Sequence, residues 1–127
     1  MTQFSNNYDL EERTAKFGED VIIVCKSINP NPIVSSIINQ LVRSATSIGA
    51  NYMEANGASS RKDFVNKIFI CKKEAQETKH WLRMLATAVP ETTDKTRLLW
   101  KECQELTLIF QKIASSTRNP ASLKIEN

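Results

Sequence analysis

Apolar residues recur at alternating spacings of four and three in four blocks of this chain, and each block ends at helix-breaking residues. The first block carries Leu10, Thr14, Phe17, Val21, Val24 and Ile28, and the second Val34, Ile38, Leu41, Ala45, Ile48 and Tyr52. The third carries Phe64, Ile68, Cys71, Ala75, Thr78, Leu82 and Leu85, and the fourth Leu99, Cys103, Leu106, Phe110 and Ile113. At 100° per residue each set shares one face of an α-helix, whereas a strand with its period of two would scatter it. The run Val21-Ile22-Ile23-Val24-Cys25 has strand propensity, but the surrounding helical period outweighs it.

The breaks are equally informative. Asn29-Pro30-Asn31-Pro32, Asn56-Gly57, Val89-Pro90 and Asn119-Pro120 separate or close the blocks. A proline disfavours helix in the residue before it, Pro32 suits the first position of the next helix, and Gly57 suits a left-handed cap. Asp9 with Glu12, and Ser60 with Asp63, are capping signals. Helices are therefore predicted over about 9–28, 33–55, 61–86 and 94–116, with a flexible N-terminus over 1–8 and a loose tail over 118–127. Each helix is about 30 Å long at 1.5 Å per residue. Short connections between them predict an all-α fold, a left-handed antiparallel up-and-down four-helix bundle over 9–117.

Composition narrows the class. With 127 residues the chain makes one domain, and no apolar run approaches the roughly 18 residues of a membrane span. The start, Met1-Thr2-Gln3-Phe4-Ser5, lacks the basic and apolar stretches of a signal peptide. Cys25, Cys71 and Cys103 lie far apart inside apolar helical patterns, which suits reduced core thiols in a cytoplasmic protein. A net charge of +3 permits contact with nucleic acid without arguing for it.

Two helices carry more apolar surface than a single stripe needs. Ile22 and Ile23 widen the arc of the first, and Val65, Phe69, Ile70 and Trp81 lie off the seam of the third. Burying such side chains is worth roughly 1.5–3 kcal/mol each. A thick bundle could cover them itself; the preferred expectation is a homo-oligomer in which Ile22, Ile23, Phe69, Ile70 and Trp81 supply a second buried face. Charge divides in the same sense. Residues 9–26 hold five acidic against three basic side chains, a balance of −2, and residues 61–83 hold seven basic against three acidic, a balance of +4. Unlike surfaces of this kind can meet head-to-tail around a ring.

The stretch from Arg43 to Asn56 has a second face. Opposite its apolar strip stand Arg43, Ser47, Asn51 and Glu54, small or hydrogen-bonding residues with one charge of each sign at the ends. Such a strip implies contact with something, either another helix of the bundle or another subunit. Together with Glu74, Glu77, Glu102 and Glu105 it points to a scaffold or protein-interaction module as the alternative. Gly49 costs roughly 1 kcal/mol inside a helix, and close approach of a neighbouring helix is the simplest account of it.

Candidate chemistry is sparse. Glu77 and His80 have the Glu-x-x-His spacing of di-iron bundles, but such sites need a second motif and further carboxylates, and His80 is the single histidine. Ser44, Ser47 and the three cysteines have no adjacent histidine, and no phosphate-binding glycine loop occurs. The chain reads as a non-enzyme without metal or cofactor. Its functional expectation is nucleic-acid binding, RNA or DNA, through Arg61, Lys62, Lys67, Lys72, Lys73, Lys79 and Arg83 along the third helix. Trp81 and Phe69 are more naturally core or interface than base-stacking platforms.

Several stretches, in order, resemble one family. They are Asp9-Leu10-Glu11-Glu12-Arg13-Thr14, the run Gln40 to Tyr52 with Glu54-Ala55, Ser60-Arg61-Lys62-Asp63-Phe64, Lys73-Glu74-Ala75-Gln76-Glu77-Thr78 and Trp81-Leu82. Over about residues 8–116 the chain is similar to the bacterial four-helix-bundle family of 23S rRNA intervening-sequence proteins. The resemblance implies a small cytoplasmic bundle assembling as a homopentameric ring, with no established molecular function. A related bundle, the accessory variability protein of diversity-generating retroelements, is a basic pentamer that binds a reverse transcriptase and nucleic acid. Partners implied are therefore the chain itself, RNA or DNA, and another protein, with no membrane.

Overall fold

The computed structural model describes residues 6–118, with side chains from residue 10 to residue 117. Four helices make the fold: α1 (Asn6–Lys26), α2 (Pro32–Asn56), α3 (Arg61–Ala88) and α4 (Thr93–Arg118). A 3-10 turn over Pro90–Thr92 leads into α4, and no strand occurs among the described residues. The chain is an all-α four-helix bundle.

Local chemistry accounts for most of the helix ends. Asn31 caps α2 by accepting from the Val34 N–H at 3.0 Å, and Pro32 opens the helix where its missing N–H costs nothing. Ser60 caps α3 in the same way, accepting from the Asp63 N–H at 3.0 Å. Two expectations need correction. Helix α1 is already formed at Asn6, ahead of the Asp9 and Glu12 pair, so residues 6–8 belong to the helix and not to a flexible arm. Residues 1–5 and the expected tail beyond Arg118 lie outside the described residues. Gly57 is not left-handed: its φ is −97°. Helix α2 instead ends by tightening, with Gly57 N–H donating to Glu54 O at 3.1 Å and Ala58 N–H to Ala55 O at 3.0 Å.

The seams read from the spacing meet in one core. Phe17, Val21, Leu41, Ile48, Tyr52, Ile68, Leu82, Leu85, Leu106 and Phe110 are all fully enclosed. Tyr52 and Phe110 reach across it from α2 and α4, with ring centroids 6.2 Å apart. Val65, expected off the seam, is buried too. Contacts between successive helices run in descending register: Arg43 meets Glu77 while Glu54 meets Lys67, and Lys72 meets Gln111 while Lys79 meets Gln104. Helices α2 and α3 pack most closely, and α1 meets α4 only sparsely.

Gly49 lies where α2 packs tightly on α1. A Cβ there would stand 3.3 Å from Thr14 Oγ1 and 3.5 Å from the Thr14 carbonyl carbon. Thr14 cannot retreat, because it is buried and its hydroxyl donates to the Leu10 carbonyl at 2.7 Å. Across the same seam Gly18 has more room, with Thr46 Cα and Cγ2 at 3.6 Å from its would-be Cβ. The two glycines therefore differ in how large a side chain they admit. Gly18→Ala gains helix propensity without a clash and raises stability by about 0.5–1 kcal/mol. Gly49→Leu drives α1 from α2 and lowers it by about 1–3 kcal/mol. Urea unfolding of the two variants checks this, and equal shifts in one direction would refute the asymmetry.

Candidate nucleic-acid interface

The polar strip of α2 is an intramolecular seam. Ser47 donates its hydroxyl to the Arg43 carbonyl at 2.7 Å, and the Asn51 side-chain amide donates to the Ser47 carbonyl at 2.8 Å. The two charged residues at the ends reach α3. Arg43 donates to Glu74 Oε1 at 3.3 Å and to Glu77 Oε2 at 2.5 Å, and Glu54 accepts from Lys67 Nζ at 2.8 Å. Beneath them Thr78 Oγ1 lies 2.7 Å from the Glu74 carbonyl and 2.8 Å from Ser44 Oγ, a buried polar pair joining the same two helices. Glu77 also accepts the Trp81 indole N–H at 3.0 Å. That bond first, and Arg43 second, hold the Glu77 carboxyl below its ordinary pKa.

A second arginine repeats the device between α1 and α4. Arg13 grips Glu102 with two bonds, Nε to Oε2 at 2.7 Å and Nη2 to Oε1 at 2.9 Å, and reaches Glu105 Oε1 at 2.7 Å. The Glu102 bond is the main reason its guanidinium pKa is raised. Each arginine thus holds two carboxylates spaced three apart on a neighbouring helix. The four glutamates read as scaffold evidence are all engaged within the chain.

The seven basic residues of α3 do not form one stripe. Lys67 turns to α2 and is neutralised by Glu54. Arg61, Lys62 and Lys73 are exposed. Lys72, Lys79 and Arg83 take the α4 side: Lys72 donates to Gln111, Lys79 donates to Gln104, and Arg83 lines a groove between the two helices. From α4 that groove receives Arg97, Trp100 and Lys101, which sequence reasoning missed, over a floor that includes Leu82 and Thr96. Lys79 Nζ stands 5.2 Å from the Trp100 ring centroid, in cation–π contact. Among the described residues no carboxylate lines the groove. A signal was available in the sequence: Arg97, Trp100, Lys101 and Gln104 follow helical spacing along the flank of the Leu99/Cys103/Leu106 seam.

The other expected positions separate. Phe69 and Trp81 are partly buried against the core, and Ile70 is half-buried, so the thick bundle absorbs much of that surface. Ile22 and Ile23 are 38% and 65% exposed. Ile22 lines a shallow groove between α1 and α2 with Met53, itself exposed. His80 lies exposed with its ring edge-on to Trp81, centroids 4.8 Å apart. Cys25, Cys71 and Cys103 are buried, and burial pushes their thiols up to about 11, 12 and 12. Among the described residues no helix is long and apolar enough to cross a membrane.

Helical architecture and interhelix arginine clamps together define a bundle whose polar groups serve its own seams. The family model described as 23S rRNA-intervening sequence protein matches residues 6–112, and the chain belongs to that family. It is similar in structure to a protein of unknown function from the S23 ribosomal protein family of Bacteroides thetaiotaomicron VPI-5482. That match has a TM-score of 0.76 at 28% identity and covers 87% of this chain and 99% of the other. No curated protein matches the chain.

The Glu77 clamp has a pH signature. A carboxyl whose native pKa lies below its ordinary 4.5 contributes stability in full above that value, and the contribution is lost as pH falls through the lowered native value. Glu77→Gln should therefore be less stable than the unaltered chain near neutral pH, with the gap narrowing at about pH 3. Urea midpoints at the two pH values measure it, and a gap independent of pH would show that the ionised clamp contributes nothing.

Proposed function

We propose that this chain is a non-enzymatic, self-associating bundle that binds nucleic acid through a cationic face between α3 and α4. The observation that carries the reading is the sorting of carboxylates. Arg43 draws Glu74 and Glu77 to the α2 side, and Arg13 draws Glu102 and Glu105 to the α1 side. Lys72, Lys79, Arg83, Arg97 and Lys101 enter none of the described ion pairs. Cations without carboxylate partners are available to phosphates, whose neutralisation releases counterions and makes affinity fall steeply with salt.

Self-association rests on the surplus of exposed apolar side chains. Ile22 and Ile23 on α1, and Leu98 and Leu108 on α4, face solvent in the single chain. A homopentameric ring, as the family resemblance implies, would cover part of that surface and repeat the cationic face around its circumference. Repetition turns a weak phosphate site into a measurable one. Arg43, Glu54 and the four glutamates find partners inside one subunit, which favours the nucleic-acid reading over the scaffold alternative.

Two experiments test the reading. Light scattering on purified protein should give an oligomer, and a clean monomer at micromolar concentration would overturn the ring. Binding to RNA and DNA across a salt series should show affinity falling with salt. Arg83→Gln with Arg97→Gln should lower the slope of log affinity against log salt by about one for each phosphate the variant no longer neutralises. Absence of binding at low salt, or indifference to salt, would overturn the nucleic-acid role.

A further inference from the structure

We infer that the groove around Trp100 takes an unpaired base, so that the nucleic acid bound is single-stranded. The inference rests on the proposed cationic face and specifies its ligand. Trp100 is 40% exposed and lines the groove. The other tryptophan behaves differently: Trp81 is packed against the core and its indole N–H is bonded to Glu77. Leaving part of an indole in water forfeits some of the roughly 1.5–3 kcal/mol that burying a large apolar side chain provides. Lys79 rests over one face of the ring in cation–π contact, and the remaining exposed part of the indole stays in water.

The surroundings select the ligand. The groove is open to solvent and offers about 500 Å³ between the two helices, room for a planar base laid against the ring. Leu82 and Ala86 make its apolar part, and Arg83, Arg97 and Lys101 supply cations around the indole. A planar aromatic beside unneutralised cations matches a base attached to its own phosphates. A base in a duplex has both faces occupied by neighbours and cannot lie on an indole, whereas an unpaired base can. An acidic protein segment would satisfy the cations and leave the ring without a stacking partner.

The test uses the full chain with a short uridine strand, a blunt-ended duplex without a loop and an abasic strand of equal phosphate number. In a Trp81→Phe background Trp100 is the single indole, and the uridine strand should quench its emission while the abasic strand does not. In the otherwise unaltered chain, Trp100→Ala should weaken the uridine strand about tenfold, with the salt slope unchanged and the abasic strand unaffected. Trp100→Phe should recover part of the loss, and the blunt-ended duplex should be insensitive to both changes. Salt-dependent binding without quenching, or equal losses for base-bearing and abasic strands, would overturn base stacking and leave the cationic face standing. No binding by any strand would overturn both. A change in scattering mass on Trp100→Ala with affinity for the uridine strand intact would make the indole a subunit contact and overturn the inference.

Discussion

Two arginines decide how charge is distributed over this bundle. Arg13 on α1 and Arg43 on α2 each hold a pair of glutamates three residues apart on the helix they face. Surface and half-buried pairs of this kind contribute on the order of 1 kcal/mol each, and the enclosed apolar core outweighs them in holding the fold. Their effect lies in position. By gathering acids into the α1–α4 and α2–α3 seams they leave the α3–α4 seam with cations and neutral amides. A modest overall charge of +3 therefore conceals one face that is strongly biased.

The helices, most of their stops and nearly all of the core were legible in the sequence because they depend on local period and local capping. The spacing of Leu41, Ala45, Ile48 and Tyr52 dictates a shared face wherever the helix is placed, and all four are fully buried. Gly49 was legible for the same reason: a helix-weakening residue in a good helix implies a close neighbour, and Thr14 is that neighbour. The ends that differed are those where two local solutions compete. Gly57 permits a left-handed cap, but an i to i−3 turn satisfies the same amides without it.

The candidate site was less legible, because pairing between helices depends on register. Arg43 and Glu77 are 34 residues apart, and Arg13 and Glu102 are 89 apart, so no local pattern connects them. Seven basic residues on one helix look like one surface when read along the chain. At 100° per residue they diverge, and Lys67 ends on the opposite flank from Lys72 and Lys79. What completes the face comes from α4, where Arg97, Trp100 and Lys101 look ordinary until α3 is laid beside them.

The partners chosen for the seam lysines have a physical consequence. Lys72 donates to Gln111 and Lys79 to Gln104, so each ammonium is held by an amide oxygen that carries no net charge. A glutamate in either place would have gripped the lysine more strongly and cancelled its field. An amide fixes the direction of the side chain and leaves the charge intact. Both lysines are also partly buried, which reduces screening by salt relative to a fully solvated ammonium. Lys79 further rests against the Trp100 ring, so the indole helps to hold the charge beside the groove instead of neutralising it. The α3–α4 seam is thus built to keep its cations in place and uncompensated, a condition that packing alone does not require and that an anionic ligand would relieve.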